Sequence, residues 1–192
     1  MKAKPTNHPG EVLFELNRRD EPLMAAATGV SSAFQIKKIL VPVDFSECAR
    51  KALRYAIALA KEHQAAITLL YVLTPPAYLG GEFGAAEYKL QVETRTSSEK
   101  ELARMVAEDV RGEVSTDTLV RSGSPAVEII EAAKELGADL IAISTHGHTG
   151  LAHVFLGSVS EHVVRRAPCP VLVVREQQRE FLAAPAQERA TA

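Results

Sequence analysis

The chain lacks the surplus of basic charge that a dedicated nucleic-acid binder presents. Its 192 residues carry 22 Lys and Arg against 24 Asp and Glu, a formal net charge of −2 at pH 7, so no basic face is expected. Apolar runs are short: none approaches the ~20 residues needed to span a bilayer. "LMAAATGV" (Leu23–Val30) follows "RRDE" and lacks the basic-then-apolar order of a signal peptide. Glu11, Glu15, Asp20 and Glu21 argue against a mitochondrial presequence. Cysteine is scarce as well. Cys48 and Cys169 are too few for a disulfide scaffold, and a reducing cytoplasm is the default expectation. These absences leave a cytoplasmic protein with neither nucleic acid nor membrane as partner. Cys48 is placed in the first turn of a helix, where the backbone dipole lowers a thiol pKa; a packed small side chain is the simpler reading.

What the chain does have is apolar content, 46% of residues, enough for one sizeable core. No internal repeat is visible. Residues 1–35 mix Pro5, Pro9, Gly10, Pro22 and Gly29 with scattered charge and read as a largely disordered tail, with room for one short helix near "EVLFEL". Residues 36–175 hold the domain, and the polar, Ala-rich residues 176–192 read as a flexible second tail. Within the domain, five short apolar runs read as strands: "KKILVPV", "AITLLYVL", "VSTDTLVR", "DLIAIS" and "PVLVVR". The third alternates more and is expected to be less buried. Continuous apolar strands between helices mark a parallel sheet covered on both faces.

Helical patterns fill the gaps. Ala49, Ala52, Leu53, Ala56, Ile57 and Ala60 form one stripe. A longer helix is predicted from about Glu87 to Arg111, with Leu102, Met105 and Val106 facing inward. A third opens at Ser124 with Pro125 at its first position and stops before Gly137. A fourth starts near Ser158, three residues before Glu161, the capping-box spacing. The order βαβαβαβαβ predicts an open, doubly wound α/β domain, which binds ligands beyond the carboxyl ends of its strands, where strand order reverses.

Two post-strand loops carry unusual chemistry: "PVDFSE" after the first strand and "STHGHTG" after the fourth. Between Gly147 and Gly157 lie nine residues, and Gly157-Ser158 opens a helix. Glycine permits close approach of backbone to an anion, and a helix N-terminus offers unpaired N–H groups. Ser158 and Ser160 add possible hydroxyl donors. The competing reading makes Gly147 and Gly150 loop turns and Ser158 an ordinary N-cap. His146, His148, His153 and His162 are close in sequence but lack cysteine or carboxylate partners at ligand spacing, so no metal held by protein ligands is expected. Imidazoles that are solvent-exposed or beside a phosphate, His146 among them, fit better. Asp44 ends the first strand; it suits a ribose hydroxyl, a magnesium ion or a phosphoryl group, or else it or Ser46 caps the next helix. Phosphoryl acceptance fails for want of the further acids, the acceptor aspartate and the lysine of a receiver domain. No P-loop and no nucleophile elbow is present.

"KKILVPVDFSECARKALRYAIALA", "ITLLYVL" and "STHGHTGLAHVFLGSVSEHVVRRAPCPVLVV" together resemble the universal stress protein family, over about Lys37 to Val174. The resemblance implies a five-stranded parallel sheet ordered 3-2-1-4-5, Rossmann-like and of the adenine nucleotide α-hydrolase type. It implies ATP as ligand, with magnesium as its counter-ion held mainly by phosphate oxygens and water. In the nucleotide-binding branch the motif reads G-x-x-G-x9-G-[ST]. Gly147, Gly157 and Ser158 match it; Ser144 stands where the first glycine is expected. Asp44 matches the aspartate near the ribose, with Pro42 and Val43 beside the base. Val72 matches the residue whose backbone recognises adenine, and Val159 and Ser160 match positions that add phosphate contacts. A homodimer through the fifth strand, Val171, Leu172, Val173 and Val174, is also implied, and an exposed apolar edge is a pairing template. The glycine-rich stretch Thr74 to Gly84 suits a lid. The function implied is that of a stress sensor or protective factor rather than an efficient enzyme. Two alternatives stand beside it: a weak ATPase or self-phosphorylating enzyme modified at Ser158 or Ser160, and a dimeric partner-binding module that takes no nucleotide, which Ser144 favours.

Overall fold

The computed structural model describes residues 2–5, 12–15, 35–74, 85–145 and 157–175. The chain forms two compact units, Met1–Gln35 and Ile36–Ala192. In the first, β1 (Lys2–Pro5) pairs antiparallel with β2 (Val12–Glu15), with Lys2 opposite Glu15 and Pro5 opposite Val12. The short helix expected near "EVLFEL" is therefore a strand. A helix that short fixes several backbone angles for very few hydrogen bonds. Val12 and Phe14 suit a pleated strand once another strand lies opposite. Pro5 is tolerated because both strands of a two-stranded ladder are edges. The tails expected over the rest of residues 1–34 and over 176–192 lie outside the described residues.

The second unit is a five-stranded parallel sheet: β3 (Lys38–Pro42), β4 (Ala66–Leu73), β5 (Thr116–Ser122), β6 (Leu140–Ser144) and β7 (Val171–Val174). The spatial order is β5-β4-β3-β6-β7, with every neighbouring pair parallel. Numbered within this sheet, that order is 3-2-1-4-5. Between the strands run α1 (Glu47–His63), α2 (Ala85–Met105), α3 (Pro125–Leu136) and α4 (Ser158–Arg166).

Period-two alternation divides the core between the two faces of the sheet. Ile39, Val41, Ile67 and Leu69 point to one face and pack on Leu53 of α1 and Leu102 of α2. Leu40, Leu70 and Ile141 point to the other and meet Ile129 of α3 and Val163 of α4. Leu53 and Leu102 are fully buried, each contributing roughly 1.5–3 kcal/mol of transfer free energy. The central strand β3 is buried on both faces after its first residue. Edge strand β5 is half exposed, as its alternating sequence predicts.

Local signals set most helix ends. Ser46 caps α1, its hydroxyl accepting the Ala49 N–H at 3.2 Å. Pro125 occupies the first turn of α3, and Gly137 closes it in the left-handed region at φ 60°. The predicted long helix is α2 followed by a π-helical turn, Val106–Val110, closed by the Arg111 N–H donating to the Val106 carbonyl at 3.1 Å. Leu102 and Met105 are buried as expected.

Candidate functional site

Strands β3 and β6 lie side by side, with Leu40 opposite Ile141, so both deliver their carboxyl ends to the same edge of the sheet. The chain then leaves in opposite directions. β3 leads to α1 on the Leu53 face, and β6 leads through residues 146–156 to α4 on the Val163 face. A crevice opens where adjacent strands send their helices to opposite sides. Both loops singled out in the sequence begin at this point.

The β3 side is a tight turn. Pro42 is the last residue of the strand and is buried; Val43, also buried, donates its N–H to the Leu70 carbonyl at 2.9 Å. Asp44 follows, half-buried, and its Oδ1 accepts from the Ser46 N–H at 3.1 Å and from the Ser46 hydroxyl at 2.6 Å. Ser46 in turn accepts from Ala49. Asp44 and Ser46 were alternative caps for α1 in the sequence; they act in series. A carboxylate has about four acceptor positions, so supporting the helix start is compatible with accepting a ribose hydroxyl. Between them Phe45 sits at φ 66°, a left-handed conformation that costs a residue with a side chain about 1–2 kcal/mol. Its ring packs on Tyr71 of β4, with centroids 4.6 Å apart and planes at 32°.

The β6 side is built differently. Ser144 ends the strand opposite Val174 and is buried, and the Thr145 N–H donates to the Val174 carbonyl at 2.9 Å. The Thr145 carbonyl accepts the Gly157 N–H at 2.9 Å. The two ends of the loop 146–156 are therefore in direct contact. A Cβ on Gly157 would come within 2.7 Å of that carbonyl oxygen, so glycine is required here by packing. Ser160, buried, gives its hydroxyl proton to the carbonyls of Ser144 and Thr145, at 3.0 and 3.2 Å.

This geometry corrects three sequence expectations. The N-cap of α4 is Gly157 rather than Ser158, and among the described residues no side chain caps the helix. The capping box does not form; Glu161 pairs instead with Arg165 at 2.9 Å. The Gly157 N–H and the Ser160 hydroxyl are spent on the β6 junction and are not spare anion donors. Among the described residues, the N–H groups of Ser158, Val159 and Ser160, the first three helical positions, bond no carbonyl of their own helix. Ser158 is exposed and Val159 half-buried.

Val72 lies near the end of β4, two residues beyond Leu70, which is in register with Pro42. Thus Pro42, Val43, Asp44 and Val72 share one corner, while Ser144, Gly157, Ser158, Val159 and Ser160 share another. His146, Gly147 and Gly150, together with His148, His153 and nearly all of the proposed lid, lie outside the described residues. No cluster of His, Cys, Asp or Glu suited to a metal is found among the described residues. Cys48 is packed in the core, its thiol 3.8 Å from the Val174 carbonyl oxygen. Burial, and secondarily the charge of Asp139, push the Cys169 thiol pKa up, the opposite of an activated nucleophile. No helix among the described residues is long and apolar enough to cross a membrane. Phe45, Tyr71 and Thr145 were not legible as site residues. A bulky residue at positive φ has no sequence signal, and Thr145 matters through a long-range carbonyl contact.

A profile of the Universal stress protein family matches residues 35–175. The chain belongs to the universal stress protein family. A universal stress protein of Methanocaldococcus jannaschii is 36% identical over 148 residues, covering 75% of this chain and 85% of that relative. The solved universal stress protein UspA from Lactobacillus plantarum superposes with a TM-score of 0.67 at 29% identity, covering 74% of this chain and 99% of its own. A universal stress protein from Archaeoglobus fulgidus, solved in complex with dAMP, shares the fold at a TM-score of 0.51 and 22% identity, covering 73% of this chain and 99% of its own. In this universal stress protein the sheet order sets the ends of β3 and β6 side by side.

Proposed function

We propose that this universal stress protein binds an adenine nucleotide, ATP with magnesium as counter-ion, in the crevice between the ends of β3 and β6. It acts in the cytoplasm as a stress sensor or protective factor rather than as an efficient enzyme. One observation carries the reading. Thr145 and Gly157 close on each other and leave a helix start that no side chain among the described residues caps, with three N–H groups and its positive dipole end, at the switch point. Phosphates fit there, on the amides of Ser158, Val159 and Ser160. Asp44 takes the ribose, and Pro42, Val43 and Val72 line the base. Loop residues His146, Gly147 and Gly150 complete the phosphate side. Magnesium is carried on the phosphates.

Any ATP hydrolysis is slow. Ser158 is the exposed hydroxyl open to self-phosphorylation; the Ser160 hydroxyl is buried and committed to carbonyls. The protein pairs as a homodimer through β7, whose apolar residues Val171, Leu172, Val173 and Val174 form one edge of the sheet.

A second reading, a dimeric module that binds partners and no nucleotide, is favoured by Ser144 at the motif's first glycine and by the commitment of the Gly157 N–H. A thermal shift separates the two. Magnesium-ATP at 100 times its dissociation constant adds ~2.7 kcal/mol of stability. No shift at millimolar nucleotide rejects the nucleotide reading and leaves the partner module.

A further inference from the structure

We propose that Phe45 is a positioning residue for the ribose end of the site: its ring, anchored on Tyr71, enforces the left-handed turn that presents Asp44. What Asp44 binds rests on the nucleotide reading above; the turn itself does not.

Phe45 is one of three residues other than glycine at positive φ among the described residues, and the other two, Gln64 and Arg111, close helices. Left-handed closure is ordinary at a helix end. Phe45 instead precedes a helix, where no such motif demands it, and a bulky residue at φ 66° is an outlier. Something must hold it, and two contacts to β4 bracket the turn. On one side the Val43 N–H bonds the Leu70 carbonyl at 2.9 Å. On the other the Phe45 ring lies 4.6 Å from that of Tyr71, the residue after Leu70.

Asp44 is the residue between these two anchors. The left-handed step at Phe45 brings the Ser46 N–H and hydroxyl back onto Asp44 Oδ1, at 3.1 and 2.6 Å. Without the ring, the preferred backbone of a residue with a Cβ is right-handed or extended, which turns the Ser46 N–H and hydroxyl away from Asp44 Oδ1.

The test compares affinity for ATP with affinity for 2′,3′-dideoxy-ATP, which lacks the ribose hydroxyls. In the native protein ATP binds tighter by about tenfold or more, the worth of hydrogen bonds to a charged group. Phe45→Ala, and Phe45→Leu, which keeps an apolar side chain but not the ring, bring this ratio close to one. Both leave dideoxy-ATP affinity within about twofold, as expected for a change confined to ribose contacts. Phe45→Tyr restores the ratio. An unchanged ratio in Phe45→Leu overturns the proposal. An unchanged ratio in Asp44→Ala rejects the ribose assignment instead, and absence of binding to the native protein rejects the nucleotide reading. In either case hydrogen exchange at the Ser46 amide still decides. Phe45→Leu should accelerate it about tenfold relative to the Ile57 amide inside α1, reflecting a smaller free energy of local opening. Equal protection refutes a positioning role.

Discussion

Two helices begin at the two strand ends that flank the crevice, and they begin in opposite ways. α1 is finished by its own side chains: Asp44 holds Ser46, and Ser46 caps Ala49. Among the described residues α4 has no side-chain cap; the N–H of its N-cap, Gly157, goes back to the Thr145 carbonyl just beyond β6. Ser46 takes up one of the N–H groups at the start of α1, that of Ala49. At the start of α4, among the described residues, no side chain takes up an N–H group. Under the nucleotide reading the difference suits unlike tasks: an acceptor from the β3–α1 turn and donors from the start of α4.

The largest effect is expected where α4 meets β6. Gly157→Val forces a side chain against the Thr145 carbonyl and should cost about 3 kcal/mol, the upper end for overpacking, since the obstructing atom is backbone. Urea unfolding reads this. A loss under ~0.5 kcal/mol, typical of open surface positions, would mean that the junction is not tight. Because stability and binding both change, this variant is a poor probe of phosphate contact. Ser158→Pro is the better one. Proline suits a first helical position, and Gly157 already has the extended backbone, φ −68° and ψ 154°, that precedes proline. Losing this single amide donor should weaken magnesium-ATP binding by about 2 kcal/mol, read by calorimetry, with little change in melting. Ser158→Ala, which keeps the N–H, should bind nearly as the native protein does. Equal affinities for the proline and alanine variants would remove the amide from the site.

The smallest effect tests the capping contrast directly. Ser46→Ala should lower stability by about 1 kcal/mol through loss of the α1 cap. Ser158→Ala should change it by less than ~0.5 kcal/mol, since Ser158 caps nothing. Comparable losses at the two serines would erase the distinction between the helix starts.

The sheet and most helices were legible because their signals are local. Apolar runs such as Ile39–Val41, the alanine stripe of α1 and the Pro125 and Gly137 ends of α3 each depend on neighbours within a few residues. The β2 error and the α4 error share a different cause. Val12–Glu15 became a strand because Lys2–Pro5 lies opposite. Ser158 lost its capping role because Gly157 must pass close to Thr145, twelve residues earlier in the chain. The site divided in the same way. Asp44 and the glycine–serine pair could be picked out as polar groups beyond strand ends, whereas the contributions of Phe45 and Thr145 depend on a backbone angle and a carbonyl direction.

By itself the sequence determined the alternation of strands and helices, the division of apolar residues between two faces, and the family, because periodicity and motif spacing are properties of the chain in one dimension. Only the tertiary structure decided which polar groups at the crevice are already spent. Hydrogen-bond capacity is used up by partners distant in sequence, and a donor committed to a neighbouring strand looks the same in one dimension as a donor awaiting a phosphate.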